Sequence, residues 1–292
     1  MKIQKSFSSS ETGTLYVVPT PIGNLEDITY RALKILESVA VIAAEDTRNT
    51  KKLLLHFEIS VPLISYHEHN KLSREEQLLA RLANGESVAI VSDAGMPAIS
   101  DPGYELVQAA IEVDYPVVVL PGANAALCAL VGSGLATDEF LFYGFLPRKK
   151  KSRVEALERL RQAKATLLFY ESPHRIRETL QTINEVLGNR KIAIARELTK
   201  RFEEYIRGEM EEICTWAADQ EWRGELCIVV EGSQETELAS DEKWWETFSL
   251  KGHVEHYMQT ENISSKEAIR LAAKDRALPK RDVYQAYHID KE

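Results

Sequence analysis

The sequence is poor in cysteine: Cys128, Cys214 and Cys227 are scattered through 292 residues, with no C-x-x-C pair. That excludes a disulfide framework and a cysteine-based zinc knuckle, and points to a reducing compartment. No apolar run approaches the roughly 18 residues that a membrane span needs. The first thirteen residues are polar and Ser-rich, without the apolar core of a signal peptide. These absences predict a cytoplasmic protein with no membrane partner and a mobile tail over residues 1–12. Lys and Arg total 36 against 45 Asp and Glu, a net charge of -9, which excludes a uniformly basic coat for nucleic acid but leaves room for a local patch. Three motifs are also missing. Without G-x-x-x-x-G-K-[ST] there is no case for an NTPase, and without G-x-S-x-G none for a serine hydrolase. The lack of G-x-G-x-x-G after the first strand argues against a nicotinamide enzyme and against the usual Rossmann-type methyltransferase loop.

What is present is an alternation of apolar runs and helical patterns. Strands are predicted at Thr14–Pro19, Val39–Ala44, Val61–Tyr66, Ser87–Ser92 and Pro116–Leu120, with helices at Tyr30–Glu37, Lys51–His56, Arg74–Asn84 and Gly103–Asp114. Continuous apolar strands imply burial on both faces, as in a parallel sheet covered by helices. A second pattern follows, with strands at Phe140–Phe145, Thr166–Tyr170, Ile192–Arg196 and Leu226–Glu231 and helices at Ser152–Ala163 and Pro173–Leu187. Phe202–Gly208 suits an added antiparallel strand. Ser233–Asp241 is polar and acidic and reads as a linker. Beyond it lies helix, with a capping box at Ser264 and Glu267 and Pro279 near the start of a last helix. That end fits either a helix-turn-helix module or a cap packed on the main body. The expected divisions are an N-terminal α/β domain at 13–138, a second α/β domain at 139–235 and a helical appendage at 240–292.

Four loops follow strands: Pro19–Asn24, Glu45–Arg48, Asp93–Gly103 and Pro121–Ala125. In an open parallel sheet such loops converge at the carboxyl ends of the strands, where ligands bind. Asp93 suits a positively charged ligand, a sulfonium or an α-amino group; the alternative is a helix or turn cap. His67 and His69 would place two imidazoles on one face of a strand, but no further ligands are identifiable and no metal is expected. His253 and His256 read as a solvated helix face. Between Arg148 and Arg161 lie seven basic and two acidic residues. Cations are unfavourable beside the positive end of a helix dipole, so this cluster invites a phosphate-contacting role.

Seven blocks carry a resemblance: VPTPIGNLEDIT (Val18–Thr29), AEDTRNTKKLL (Ala44–Leu54), SYHEHN (Ser65–Asn70), SDAGMPAISDPG (Ser92–Gly103), GFLPRKK (Gly144–Lys150), ESPHR (Glu171–Arg175) and ARELTKRFEEYIRG (Ala195–Gly208). In this order they resemble the ribosomal RNA small subunit methyltransferase I family of the tetrapyrrole methylase superfamily, from about Gly13 to Gly232. The C-terminal helices resemble that family's helix-turn-helix-like appendage. The resemblance implies a two-domain α/β fold with S-adenosylmethionine in the interdomain cleft, plus the small helical appendage. It implies 2′-O-methylation of a cytidine in the decoding centre of 16S ribosomal RNA, with the small subunit or its RNA as partner, and a homodimer. Carried over residue by residue, the cofactor would contact Pro21, Asp93, Met96, Ile99, Asn124, Ala125, Tyr170, Ala195, Leu226 and Cys227. RNA phosphate is assigned to Arg48, Arg148, Lys149, Lys150, Lys151 and Arg153. The alternatives are a tetrapyrrole C-methyltransferase and a non-catalytic RNA-binding assembly protein.

A ribose hydroxyl is a poor nucleophile at neutral pH, so a positioned base would help its attack. Glu45 and Asp46 are the first choice, because adjacent carboxylates raise one another's pKa; the alternative is that they anchor Arg48 or cap the helix that follows. Asp101, Glu171, His174 and Lys200 are further options.

Overall fold

The structure, a computed structural model, describes residues 2–6, 11–234 and 245–288. It forms two compact units, Met1–Ser233 and Gln234–Glu292. The expected boundary at 138/139 falls inside the first unit, between two sheets. Most of the expected linker, from residue 235 onward, lies outside the described residues, as do residues 1 and 7–10 of the expected tail.

The first sheet contains β1 (Leu15–Val17), β2 (Val41–Ala44), β3 (Leu63–Ser65), β4 (Val88–Val91) and β5 (Val117–Val119). Their order is β3-β2-β4-β1-β5 and every pairing is parallel. Strand alternation sorts the side chains into two cores. Leu15, Val17, Val41, Ala43, Val88 and Ile90 pack beneath α3 (Lys71–Ala83) and α4 (Tyr104–Glu112). Ile42, Ala44, Ala89 and Val91 face the other way, onto α1 (Tyr30–Ser38) and α2 (Thr47–His56). Burial on both faces is why these strands read as unbroken apolar runs. The helix starts are chemically marked: the Thr29 hydroxyl accepts from the Ala32 amide and the Asp46 carboxylate from the Arg48 amide.

The second sheet runs β6-β7-β10-β8-β9, from β6 (Phe140–Phe145), β7 (Thr166–Glu171), β8 (Lys191–Arg196), β9 (Glu204–Glu209) and β10 (Leu226–Val230). Here only β6 and β7 pair in parallel; β10 is antiparallel to both neighbours, and β9 is antiparallel to β8. One face packs on α6 (Lys150–Glu158), α7 (Ile176–Leu187) and α8 (Met210–Ala218). The other receives α5 (Ala125–Ser133), which leaves β5 of the first sheet and buries Ala126, Ala129 and Leu130 against Leu168, Ala193 and Val229. Gly134 ends α5 at φ 76°.

Of the expected tail, Lys2 and Gln4 contact the first sheet and the end of α4. The Gln4 side chain donates to the Val117 carbonyl and accepts from the Val117 amide, both at 2.8 Å, completing the edge of β5. Lys2 Nζ donates to the Ile111 carbonyl at 2.8 Å and pairs with Asp114 at 2.9 Å.

In the second unit, α9 (Leu250–Thr260), α10 (Ser265–Asp275) and α11 (Lys280–His288) enclose Val254, Ala268, Ile269, Ala272 and Val283. The Ser264 hydroxyl caps α10 as the motif predicts. His253 corrects the expected solvated face. It is fully buried, stacked between Trp245 and Tyr257, and its Nδ1 accepts from Arg276 Nε at 3.1 Å.

Arg153 requires a second correction. Its side chain is fully buried, with Nε donating to Thr182 Oγ1 at 3.0 Å, Nη1 to the Arg148 carbonyl at 3.3 Å and Nη2 to Glu178. It ties α6 to α7 and cannot face RNA. Arg153→Ala is expected to cost about 2–3 kcal/mol, from lost stem packing and stranded partners. Lys149→Ala should leave stability within about 0.5 kcal/mol. Urea unfolding midpoints of the two variants check this.

Candidate active site

The loops after β1, β4 and β5 meet at one edge of the first sheet. Thr20 and Gly95 exchange backbone hydrogen bonds, Thr20 N to Gly95 O at 3.0 Å and Gly95 N to Thr20 O at 2.9 Å. Thr20 Oγ1 adds a bond to the Ser92 carbonyl at 3.1 Å. Gly95 has φ 79°, and a Cβ there would lie 3.3 Å from Ile22. Beyond it the chain is unusually contorted: Ala98 and Ser100, both non-glycine, have φ 68° and 62°. On the opposite side Glu197 and Thr199 have φ 50° and 66°. The two sides touch at Gly23, where a Cβ would fall 2.3 Å from the Lys200 side chain.

Between them lies a cavity of about 310 Å³. Its walls combine apolar side chains (Met96, Ile99, Phe145, Tyr170, Leu226) with chain bearing small residues, Ala94, Gly95, Ala125 and Ala195. Phe142 and Phe145 brace the Tyr170 ring edge-on, at centroid distances of 4.9 and 5.7 Å. Of the expected cofactor contacts, Met96, Ile99, Asn124, Ala125, Tyr170, Ala195, Leu226 and Cys227 line this cavity. Pro21 and Asp93 do not; they line an adjoining recess of about 230 Å³ with Asn49 and Lys52. Both Asp93 oxygens are engaged, Oδ1 by the Asp46 amide at 3.1 Å and Oδ2 by Asn49 Nδ2 at 3.0 Å, so Asp93 fastens the start of α2 to the loop after β4. Asn124 caps α5, its side-chain oxygen accepting from the Leu127 amide at 3.0 Å. Ile22, Phe145, Leu198 and Gly224 were missed by sequence reasoning. The first three stand in the blocks that carry the resemblance; the signal at Gly224 is a glycine just ahead of an apolar strand, where a Cβ would sit 2.2 Å from the Glu197 carboxylate.

The carboxylates separate by partner. Asp46 forms an ion pair with Arg48 at 2.6 Å, and those hydrogen bonds hold its carboxyl down to about 2. Glu45 points elsewhere; burial and then the charge of Asp93 push it up, and its Oε2 is buried without a hydrogen-bond partner. The mutual rise expected of adjacent carboxylates is therefore one-sided: Asp46 adds to the rise of Glu45, while Arg48 holds Asp46 itself down. Asp101 lines the cavity, and burial followed by the charge of Glu45 raises it to about 6. Glu171 is saturated, accepting from the Ser172 amide at 2.7 Å and from Thr179 Oγ1 at 2.6 Å. Lys200 is paired with Glu197 at 2.9 Å and with Glu225 at 3.2 Å. His67 and His69 lie in the turn after β3, their ring centroids 6.0 Å apart, rather than on a strand face. Among the described residues, no three His, Cys, Asp or Glu side chains gather to hold a metal, and no helix is long and apolar enough to cross a membrane.

Residues 14–214 match the family model for Tetrapyrrole (Corrin/Porphyrin) Methylases. Over 99% of its length the chain is 54% identical to Ribosomal RNA small subunit methyltransferase I of Bacillus subtilis, of which it covers 99%. The chain belongs to that family. A relative of the same name in Halalkalibacterium halodurans is also 54% identical, with 99% of each chain covered. The fold is shared with uroporphyrin-III-C-methyltransferase from Thermus thermophilus, at a TM-score of 0.52, 22% identity, and coverage of 74% of this chain and 94% of that one. Family membership thus covers both sheets and the C-terminal helices, and the cavity lies inside the residues matched or immediately after them.

The cysteines offer a test of cavity burial. Burial pushes the Cys227 thiol up to about 12, so almost no thiolate forms near neutrality. Cys128 is exposed. Iodoacetamide at pH 8 should alkylate Cys128 well before Cys227, as read by peptide mass spectrometry; the reverse order would contradict the packing of β10.

Proposed function

We propose that this protein transfers a methyl group from S-adenosylmethionine to the ribose 2′-oxygen of a cytidine in the decoding centre of 16S ribosomal RNA. The observation that carries the reading is the cavity at the strand ends of a chain 54% identical, end to end, to a small subunit methyltransferase. The cavity suits the cofactor: it has the size of a small-molecule site and walls apolar enough to exclude water. Its small residues let backbone polar groups approach a ligand closely. Met96, Ile99, Tyr170, Ala125, Ala195, Leu226 and Cys227 would hold the cofactor. When bound, its sulfonium supplies an electrophilic methyl group. The chain's own task is alignment, because displacement at carbon requires the attacking oxygen in line with the leaving sulfur.

For RNA, the exposed cations are Arg148, Lys149, Lys150 and Lys151 at the start of α6, and Arg48 at the start of α2. Arg48 is already paired with Asp46, and Lys150 with Glu185 at 3.2 Å, so Arg148, Lys149 and Lys151 carry the phosphate role in this reading. The same reading places the protein in the cytoplasm as a homodimer acting on the small subunit.

The test is labelled-methyl transfer to unmodified small subunits, to naked RNA and to a tetrapyrrole precursor, with nucleoside mass spectrometry. The expected product is 2′-O-methylcytidine from an RNA substrate; transfer to the tetrapyrrole alone would overturn the reading. In a second experiment, Lys149→Glu with Lys151→Glu should weaken RNA binding and flatten the slope of log affinity against log salt by about 1–2. An unchanged slope would remove α6 from the RNA surface.

A further inference from the structure

Three carboxylates line the cavity: Asp101, Glu171 and Glu225. Glu171 has both oxygens occupied by hydrogen bonds and faces Arg175 at 3.4 Å. Glu225 is three-quarters exposed and paired with Lys200. Asp101 differs, since among the described residues no cation pairs with it. Its neighbours are the Ser92 hydroxyl and Asp93 at the end of β4, Glu45 at the end of β2, and Tyr170 on β7. The loop that carries it is held tightly. Ser100 precedes it at φ 62°, Gly103 follows at φ 139°, and the Ala98 amide donates to the Pro102 carbonyl at 3.3 Å. The backbone that carries Asp101 is thus held in place at the cavity wall.

We propose that Asp101 is the catalytic base of this site, taking the proton of the ribose hydroxyl, and that Glu45 is the positioning residue behind it. This rests on the methyl-transfer reading above. As the ribose oxygen bonds to the methyl carbon, the carbon–sulfur bond breaks with its electron pair left on sulfur. The hydroxyl proton passes to an Asp101 carboxylate oxygen, giving a neutral carboxylic acid and a neutral thioether. Asp101 can do this where the other carboxylates cannot, because it faces the cavity and has no cation to surrender. The buried, unpartnered Oε2 of Glu45 supplies the repulsion that makes an added proton welcome on Asp101. A base that titrates near 6 is ionised at pH 7 yet still basic enough to share a proton in the transition state.

The experiment compares wild type, Asp101→Asn and Glu45→Gln in three readouts: S-adenosylmethionine affinity by calorimetry, methyl transfer to the small subunit across pH, and carbon-13 NMR titration of labelled aspartate carboxyls without ligand. Asp101→Asn should keep cofactor affinity and thermal stability while losing about a hundredfold or more in transfer rate. In wild type the rate should rise with pH and level off above about 6, with the Asp101 carboxyl titrating at the same point. Removing its neighbour's charge in Glu45→Gln should move both midpoints to lower pH. Wild-type rates in Asp101→Asn, an ordinary carboxyl midpoint near 4, or loss of cofactor affinity in Asp101→Asn would each overturn the assignment. If the wild type transfers to RNA and Asp101→Asn does so equally, Asp101 alone is refuted. If the wild type transfers nothing, the methyl-transfer reading falls and takes this assignment with it.

Discussion

Helix α5 is the contact on which the cavity depends. It grows out of β5 of the parallel sheet, yet its buried residues Ala126, Ala129 and Leu130 belong to the core of the second sheet. That shared helix fixes one sheet's strand ends against the other's. Further grips reinforce it: Tyr205 Oη donates to the Cys128 carbonyl at 3.3 Å and Arg207 Nε to the Gly132 carbonyl at 2.9 Å. Gly132 is glycine because the Tyr205 ring occupies the place of its Cβ, which would lie 2.3 Å away. A helix covered by protein on one side and apolar on its remaining faces shows no amphipathic period. Leu127 and Val131 on α5 are exposed while Ala126, Ala129 and Leu130 are buried. The stretch before Gly132-Ser-Gly134 reads as a helix that ends there, as it does, but the role of α5 became visible only with the second sheet in place.

The electrostatics follow from which carboxylates obtain a cation. Adjacent in sequence, Glu45 and Asp46 have opposite fates. Asp46 lies at the N-cap of α2, where amide donors and Arg48 stabilise its charge; Glu45 lies behind it, where burial and the charges of Asp93 and Asp46 outweigh His67 and push it up. The strand ends therefore hold one carboxylate, Asp46, well below the usual carboxylate range and two, Glu45 and Asp101, above it. Asp93 mediates the split, since it gives both its oxygens to the start of α2 and contributes repulsion to Glu45 and Asp101 at once. The acidity read as a pocket for a positive ligand is, in part, internal scaffolding.

Much of the fold was legible because burial on two faces leaves a plain trace: Val41–Ala44 and Val88–Val91 read as strands from their apolar runs alone. Strand direction left no such trace. Leu226–Val230 is as apolar as a parallel strand and is antiparallel on both sides, because the covering of α5 on one face and α6 to α8 on the other satisfies the same burial. Cavity-lining residues on glycine- and proline-rich loops stood out in the sequence, since few other reasons put Ser92–Gly103 together. What was not readable was the direction a side chain turns. Arg153 continues a run of surface cations by one helical step and points inward, and only Thr182 and Glu178 on α7 reveal it. His253 is the same case among the C-terminal helices, where Arg276, distant in sequence, supplies the partner that makes burial tolerable.

The backbone around the cavity gives the last step. Ala98, Ser100, Glu197 and Thr199 all adopt a left-handed conformation, and they flank Ile99 and Leu198, which line the cavity from opposite sides. Each such residue costs about 1–3 kcal/mol and persists only where its surroundings over-determine it. Here the surroundings are explicit: the Thr20–Gly95 bridge on one side, and on the other the Glu197 carboxylate accepting from the Glu225 amide at 3.0 Å and from Lys200. A loop that had to order itself around a ligand would spend binding energy on its own entropy. These loops are ordered in advance by contacts outside the cavity, which leaves the energy of binding for aligning the reacting groups. Alignment is the requirement that displacement at a methyl carbon imposes most strictly. The strain on both flanks is therefore best understood as the means by which two sheets of different topology present one rigid wall each to the same small volume.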